Sequence, residues 1–405
     1  MQKEQSKNRN FIALAAVGIH ISIGSVYAWS VFTNPIMEQM GISLREVQWA
    51  FSLAIFFLGM SAAFLGQYVE RYGPRKSGLV SAAFFSTGMF GAGLAVAFNN
   101  VALLYLFYSV IGGIGLGIGY ITPVSTLIKW FPEKRGFATG LAIMGFGFGA
   151  WFASPIIQYL IEHVGVVNCF ITLGALYLLL MLPSALYLAP PVKSGEAAVQ
   201  ETLFSEYEMT LKNAMHNKMF YILWLYLFIN ITCGISLLSV ASPMLQEIVG
   251  MSAMSAAVVV GIIGIVNGAG RLAWSAISDY LGRGKTFFCF FVIQMFAFYL
   301  LTTTQDPIWF PVLLYIIISC YGGGFATMPA YLADVFGTKE LAAIHGRILS
   351  AWACAGIAGP LLTSLIKEST GSYVSLLQIF SATFLLISIV ALWVNTALSK
   401  PQVKK

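Results

Sequence analysis

Long, uninterrupted apolar runs constrain this chain before any other feature does. Twelve of them lie at approximately 11–34, 47–70, 77–97, 101–128, 136–161, 166–189, 219–241, 252–278, 286–304, 307–335, 343–366 and 372–397. Each is about 20 residues or longer, the length a helix needs to cross a ~30 Å hydrocarbon core. Lipid offers the backbone no hydrogen-bond partner, so only helices and closed barrels can span it. The runs are continuous rather than alternating in polarity, which argues against a barrel. Charged residues make up 9% of the 405, against about 25% in soluble domains. The expected fold class is therefore an all-α membrane protein with twelve transmembrane helices.

The connections set the organisation. The polar segment Met1 to Asn10 leads into an apolar run that passes through Tyr27, Ala28 and Trp29 without an A-x-A cleavage pattern. It reads as an uncleaved first span and not as a signal peptide. Only one connection is long, 190–218, and it divides the runs six and six. The expected domains are an N-terminal six-helix bundle at 1–189, a central loop at 190–218 and a C-terminal bundle at 219–405. Of the 22 Lys and Arg residues, only Arg45, Lys367 and Arg271 fall outside one set of alternate loops and tails. The positive-inside rule then places both termini and the central loop in the cytoplasm.

The halves repeat. Gly41-Ile42-Ser43 recurs as Gly250-Met251-Ser252, Glu70 and Lys76 as Asp279 and Lys285, and Gly136 and Gly149 as Gly346 and Gly359. The offset stays at 209 or 210 throughout. Internal repeats of this kind mark transporters in which two similar bundles rock about a midplane site.

Several function classes fall away. The five cysteines, Cys169, Cys233, Cys289, Cys320 and Cys354, all sit in apolar runs without ligand spacing, so neither a disulfide framework nor a metal site is expected. The net charge of +6 resides mostly in short loops and tails, which argues against a nucleic-acid partner. Gly113-Ile114-Gly115-Leu116-Gly117-Ile118-Gly119 lacks the strand and downstream acid of a dinucleotide fingerprint. It reads as a surface for close helix contact, as does Gly145-Phe146-Gly147-Phe148-Gly149. With no nucleotide-binding domain and no cofactor signal, the chain is not expected to be an enzyme or a primary pump.

Arg271 is the only charge between Val258 and Ile277. A charge within lipid costs roughly 2.5–3.5 kcal/mol on insertion scales, so it is retained only where it faces a cavity or a partner. A permanent cation on a hydrophobic pathway calls for an anion. Ala62 stands at the equivalent position of the first half, so the fold itself does not require the cation. A structural alternative is snorkelling toward Asp279, eight residues on. Asn267 precedes Arg271 by one turn and shares its face. Tyr120, Tyr27, Tyr321, Tyr331 and Trp352 are the further candidates for substrate contact, each equally able to be ordinary core. Trp151 is a weaker one. His20 is the only histidine deep within a run, a candidate for proton coupling or a hydrogen-bonded structural group.

The second connecting loop reads Gly66-Gln67-Tyr68-Val69-Glu70-Arg71-Tyr72-Gly73-Pro74-Arg75-Lys76, and Ser278-Asp279-Tyr280-Leu281-Gly282-Arg283-Gly284-Lys285 is a weaker copy. The first resembles the G-x-x-x-D/E-R-x-G-x-R-R/K loop signature of major facilitators. Gly66, Glu70, Arg71, Gly73, Arg75, Lys76, Asp279 and Arg283 are thus expected to be gating and orientation elements rather than substrate ligands. Tyr27-Ala28-Trp29-Ser30 with Asn34-Pro35, the block Lys129-Trp130-Phe131-Pro132-Glu133-Lys134-Arg135-Gly136, and the Asn267–Arg271 pair are similar to the oxalate/formate antiporter family, bacterial relatives of the monocarboxylate transporters.

The resemblance implies a major facilitator fold of two pseudo-symmetric halves in a bacterial plasma (inner) membrane. It implies a small carboxylate substrate, with or without protons, and a monomer. Two departures refine this. Oxalate transport in that family uses a Lys in the eleventh span, where counting from Gly346 puts Trp352 here. A single cation suits a monocarboxylate of the pyruvate, lactate or formate class. Animal monocarboxylate transporters carry an Asp where this chain has Asn267, so a carboxylate proton relay is not expected. The alternatives are an oxalate/formate-type exchanger, a facilitator for a neutral solute with Arg271 structural, and a sensor on a transporter scaffold. The short tails leave little room for the output domain a sensor needs.

Overall fold

The structure, a computed structural model, describes residues 7–131, 135–191, 209–337 and 340–398; the side chains at 67, 70, 128, 135–143, 342, 397 and 398 lie outside that description. All regular structure among the described residues is helical. Among the described residues, eleven helices are long and apolar enough to cross a membrane. One of them, Met144–Tyr187, is interrupted at Gly165, whose φ of 77° and ψ of 166° break the helix and turn the chain back. It therefore supplies two spans, the fifth and the sixth. The others, in order, are Arg9–Ala28, Leu44–Phe64, Arg71–Ala97, Val101–Leu127, Lys218–Val249, Ala253–Leu281, Arg283–Leu301, Trp309–Phe336, Ala343–Thr370 and Val374–Thr396. They are the first to fourth and the seventh to twelfth spans.

The repeated Gly-x-Ser motif has a local cause. Gly41 (φ 64°) and Gly250 (φ 74°) adopt the left-handed conformation that ends the preceding helix, which glycine enters without a Cβ penalty. Two residues later Ser43 and Ser252 cap the next helix. The Ser43 hydroxyl accepts from the Glu46 backbone N–H and the Ser252 hydroxyl from that of Ser255. The same pair of devices thus turns the chain at equivalent points of the two halves.

The halves meet along two glycine-lined seams. In the first, the fifth span packs on the eighth: a Cβ on Gly264 would lie 2.5 Å from the Gly147 carbonyl oxygen. In the second, the second span packs on the eleventh: a Cβ on Gly59 would lie 3.0 Å from that of Ala353, and one on Gly356 would lie 2.4 Å from an Ile55 methyl. Small residues let backbones approach where lipid supplies no hydrophobic drive to hold helices together.

Even-numbered crossing puts both described chain ends on one face of the bundle, called here the terminal face. At the opposite face the halves are tied together. Arg45 pairs with Glu368 at 2.6 Å, and Gln48 donates to the Ser239 carbonyl at 3.2 Å. Toward the terminal face they part around a cavity of about 970 Å³. Gly264→Val should overpack the first seam, costing about 1–3 kcal/mol. A lower unfolding temperature in detergent is the expected outcome, while Gly41→Asn, at a turn open to solvent, should shift it far less.

Candidate functional site

The eighth span is held from two sides by backbone contact. Gly264 and Gly268 face Gly147 of the fifth span, and a Cβ on Gly270 would lie 2.5 Å from the Ser319 carbonyl oxygen of the tenth. Gly322 of the tenth span meets Asn267 just as closely. This wedge fixes the face that carries Asn267 and Arg271, and it directs both side chains between the two halves.

Arg271 is only 5% exposed. Its Nε donates to Asn267 Oδ1 at 3.4 Å, a long and weak bond, and its Cζ lies 5.2 Å from the Phe325 ring centroid. No ion pair among the described residues involves it. Nη1 is buried with no hydrogen-bond partner, and so is Asn267 Nδ2. The guanidinium is stabilised here by ring quadrupole and dipoles rather than by an anion. Tyr27 and Tyr120 turn their hydroxyls toward it, and Tyr321 lies within reach of its charge.

Aromatic rings complete the enclosure. The Tyr27 and Tyr321 hydroxyls lie 3.0 Å apart, one from each half. Tyr27 meets Phe146 edge-on at 5.0 Å. Tyr120 meets Phe146 at 5.6 Å and Trp352 at 5.5 Å, the latter again across the halves. Trp352 meets Phe325 at 5.1 Å, and its indole N–H is buried without a partner. The first span supplies Tyr27 from a 3-10 turn, Ser25–Ala28, which follows Gly24. A Cβ on Gly24 would lie 2.0 Å from the Phe146 carbonyl oxygen, so this turn sits directly on the fifth span.

The arrangement gathers Arg271, Asn267, Tyr27, Tyr120, Tyr321 and Trp352 into one buried cluster. Tyr331 is elsewhere. It lies ten residues beyond Tyr321, roughly 15 Å along the helix, and packs on Phe287 at 5.9 Å. Its placement as a substrate contact is corrected on that ground. Trp151 faces outward beside Phe152. His20 is fully buried behind Tyr120: its Nε2 donates to the Tyr120 carbonyl at 3.0 Å, and the two rings stack at 5.7 Å. Phe146 and Phe325 were absent from the expected set. Phe325 was findable, since it lies one turn from Tyr321 on the same face. Phe146, embedded in a glycine run, carried no such signal.

The Major Facilitator Superfamily profile matches residues 12–360 and again 265–405. The chain belongs to the Major Facilitator Superfamily. It is a multi-pass membrane transporter, not an enzyme. The oxalate:formate antiporter of Oxalobacter formigenes is 29% identical over 367 residues, which cover 90% of this chain and 86% of that protein. Monocarboxylate transporter 4 of Rattus norvegicus is 31% identical over 186 residues, 44% of this chain and 39% of the relative. Among solved structures, that of a D-xylose-proton symporter aligns with a TM-score of 0.74 at 16% identity, covering 94% of this chain and 97% of that one. At that identity the likeness concerns the fold alone.

The superfamily loop motif lies at the terminal face, apart from Arg271. Gly66 opens a short helical segment that is broken at Gly73, with φ 79°. Arg71, Arg75 and Lys76 are exposed, and Arg71 lies over the Tyr72 ring at 5.8 Å. The Glu70 side chain lies outside the described residues. In the second copy, Arg283 pairs with Asp279, donates to the Ser278 hydroxyl, and reaches Asp334 of the tenth span at 3.5 Å.

Tyr27→Phe or Tyr321→Phe alone leaves one buried hydroxyl without its mate, at about 1–3 kcal/mol. The double variant should lose less than the sum of the two, with a coupling of about 1 kcal/mol in a thermal-unfolding cycle. Strict additivity would show that the two hydroxyls do not bond.

Proposed function

We propose that the protein is a secondary transporter of small monocarboxylates, of the pyruvate, lactate and formate class, working by alternating access. The carboxylate is paired to Arg271. The observation that carries this reading is the Arg271 guanidinium itself, buried between the halves with Nη1 unpartnered and no anion paired to it among the described residues. A buried charge without a counter-charge costs several kcal/mol. A carboxylate accepts two parallel N–H bonds from a guanidinium fork and removes that cost. One cation balances one carboxylate, which favours a monoanion over oxalate.

The Tyr27, Tyr120 and Tyr321 hydroxyls serve as donors to the same carboxylate or to a neighbouring keto or hydroxyl group. Asn267 sets the guanidinium plane, and Phe325, Phe146 and Trp352 form the apolar walls. His20 holds Tyr120 in place, and a role for it in proton coupling is part of the same test. The terminal face is assigned to the cytoplasm by its Lys and Arg excess, in a bacterial plasma membrane, with the protein acting as a monomer and without a cofactor. The bundle division at 1–189 and 219–405 supplies the two rocking bodies.

An occupied site is neutral and crosses occlusion more readily than a bare cation. That logic suits exchange or proton symport better than free uniport. An oxalate/formate-type exchange is the second reading, favoured by the 29% identity to the oxalate:formate antiporter.

The test is uptake of radiolabelled pyruvate, lactate, formate and oxalate into proteoliposomes, with and without an imposed pH gradient or internal substrate. Saturable monocarboxylate uptake that falls at least about a hundredfold in Arg271→Gln is expected, matching the roughly 3 kcal/mol of a lost charge-assisted pair. Tyr120→Phe should raise KM several-fold. Full activity of Arg271→Gln, or transport of none of the four by folded protein, would leave a neutral solute as the leading substrate class.

A further inference from the structure

The cavity at the terminal face is not an empty approach. It has a volume of about 970 Å³, and its walls come from both halves, from the second and fourth spans on one side and the seventh and eleventh on the other. Among the described residues Arg347 is the one charged residue on its lining, among mainly apolar neighbours such as Phe64, Val69, Ile121 and Trp224. The Arg347 Cζ lies 5.2 Å from the Phe64 ring centroid, so this cation too leans on a ring. Among the described residues no ion pair involves it. The wall beside it is polar at Ser350: Trp224 Nε1 donates to the Ser350 hydroxyl at 3.0 Å, and that hydroxyl donates to the Arg347 carbonyl at 2.6 Å. Ser125 adds a second hydroxyl from the opposite wall.

The cavity lies close to the buried cluster. Ile121 on its wall follows Tyr120 directly, and Arg347 precedes Trp352 by five residues, roughly 7 Å along the helix. Trp352 touches Phe325, which touches Arg271. The eleventh span therefore carries a cation on the cavity lining and, little more than one turn further on, the indole wall of the buried site. A cleft with low-dielectric walls and one sign of charge concentrates counter-ions.

We infer that this vestibule is a second binding station for the small carboxylate, with Arg347 as its anion ligand, through which substrate passes between the terminal face and Arg271. The inference rests on the carboxylate reading above. Arg347 binds more weakly than Arg271 because it is exposed and solvent competes for it. Its fork receives the carboxylate, the Ser125 hydroxyl, held only by a long 3.4 Å bond to the Thr122 carbonyl, can turn to donate as well, and the apolar wall takes the small aliphatic part. Because the station lies on one side, it affects substrate arriving from that side alone.

The test compares wild type, Arg347→Gln and Arg347→Lys for pyruvate uptake in everted and right-side-out membrane vesicles, with Arg271→Gln as reference. Arg347→Gln should raise KM roughly tenfold from the terminal face and leave KM from the opposite face within about twofold; Arg347→Lys should restore most of the loss. Raising salt should shrink the difference, because exposed charges are screened. A second measurement does not depend on turnover. In purified Arg271→Gln, pyruvate should still quench Trp224 fluorescence, read as the signal lost in Trp224→Phe, and Arg347→Gln added to it should abolish the quenching. Unchanged KM on both faces, or an equal change on both, overturns the station while the Arg271 reading stands. Full transport by Arg271→Gln overturns that reading instead.

Discussion

A peptide group in hydrocarbon has no solvent to bond, and the architecture depends on that fact more than on any single contact. It forces the backbone into helices and pushes every turn to a membrane face. It also removes the hydrophobic drive between helices, so the bundle must gain its cohesion from close contact. The glycines answer this need. Gly147 against Gly264, and Gly59 against Ala353, bring backbones together along the two seams between the halves. Such seams bury little side chain and no ion pair, which suits surfaces that must separate and re-form.

Against that apolar frame the Arg271 guanidinium stands out energetically. Its neighbours offset part of the cost: the Phe325 face, the Asn267 carbonyl and three tyrosines. None of these carries a full negative charge. The site is thus polarised toward an anion, and in the proposed cycle the substrate supplies the missing charge. The bond between Tyr27 and Tyr321 adds a second coupling, since it joins the halves beside the same cation. In the proposed cycle, a ligand that engages either hydroxyl would compete with this contact between the halves and so link occupancy to movement.

Much of this was legible in the chain. The apolar runs marked twelve crossings, even where Met144–Tyr187 forms one nearly continuous helix with a single break at Gly165. The Gly-x-Ser repeat proved to be a helix stop followed by a helix cap, a local signal that needs no tertiary knowledge. Arg271 was conspicuous because a lone charge in an apolar run has no local explanation. The aromatics were harder. Tyr321 and Tyr331 are the same residue type on the same helix, and composition does not tell which faces the other half. The tenth span settles it by register. Gly322 meets Asn267, which brings Tyr321 to Arg271 and leaves Tyr331 among Phe287 and its neighbours.

The sequence by itself determined the helical class, the number of crossings, the internal repeat and the lone cation, Arg271, in the middle of an apolar run. These are set by length, period and charge, which act within a segment. Only the tertiary structure decided which rings surround that cation, that Phe146 and Phe325 belong among them, and that His20 stacks on Tyr120 and bonds its carbonyl. It also revealed the cavity at the terminal face and the position of Arg347 on its wall. Those outcomes depend on how helices distant in sequence rotate against one another. That rotation is fixed by glycine contacts between spans, which no single segment encodes.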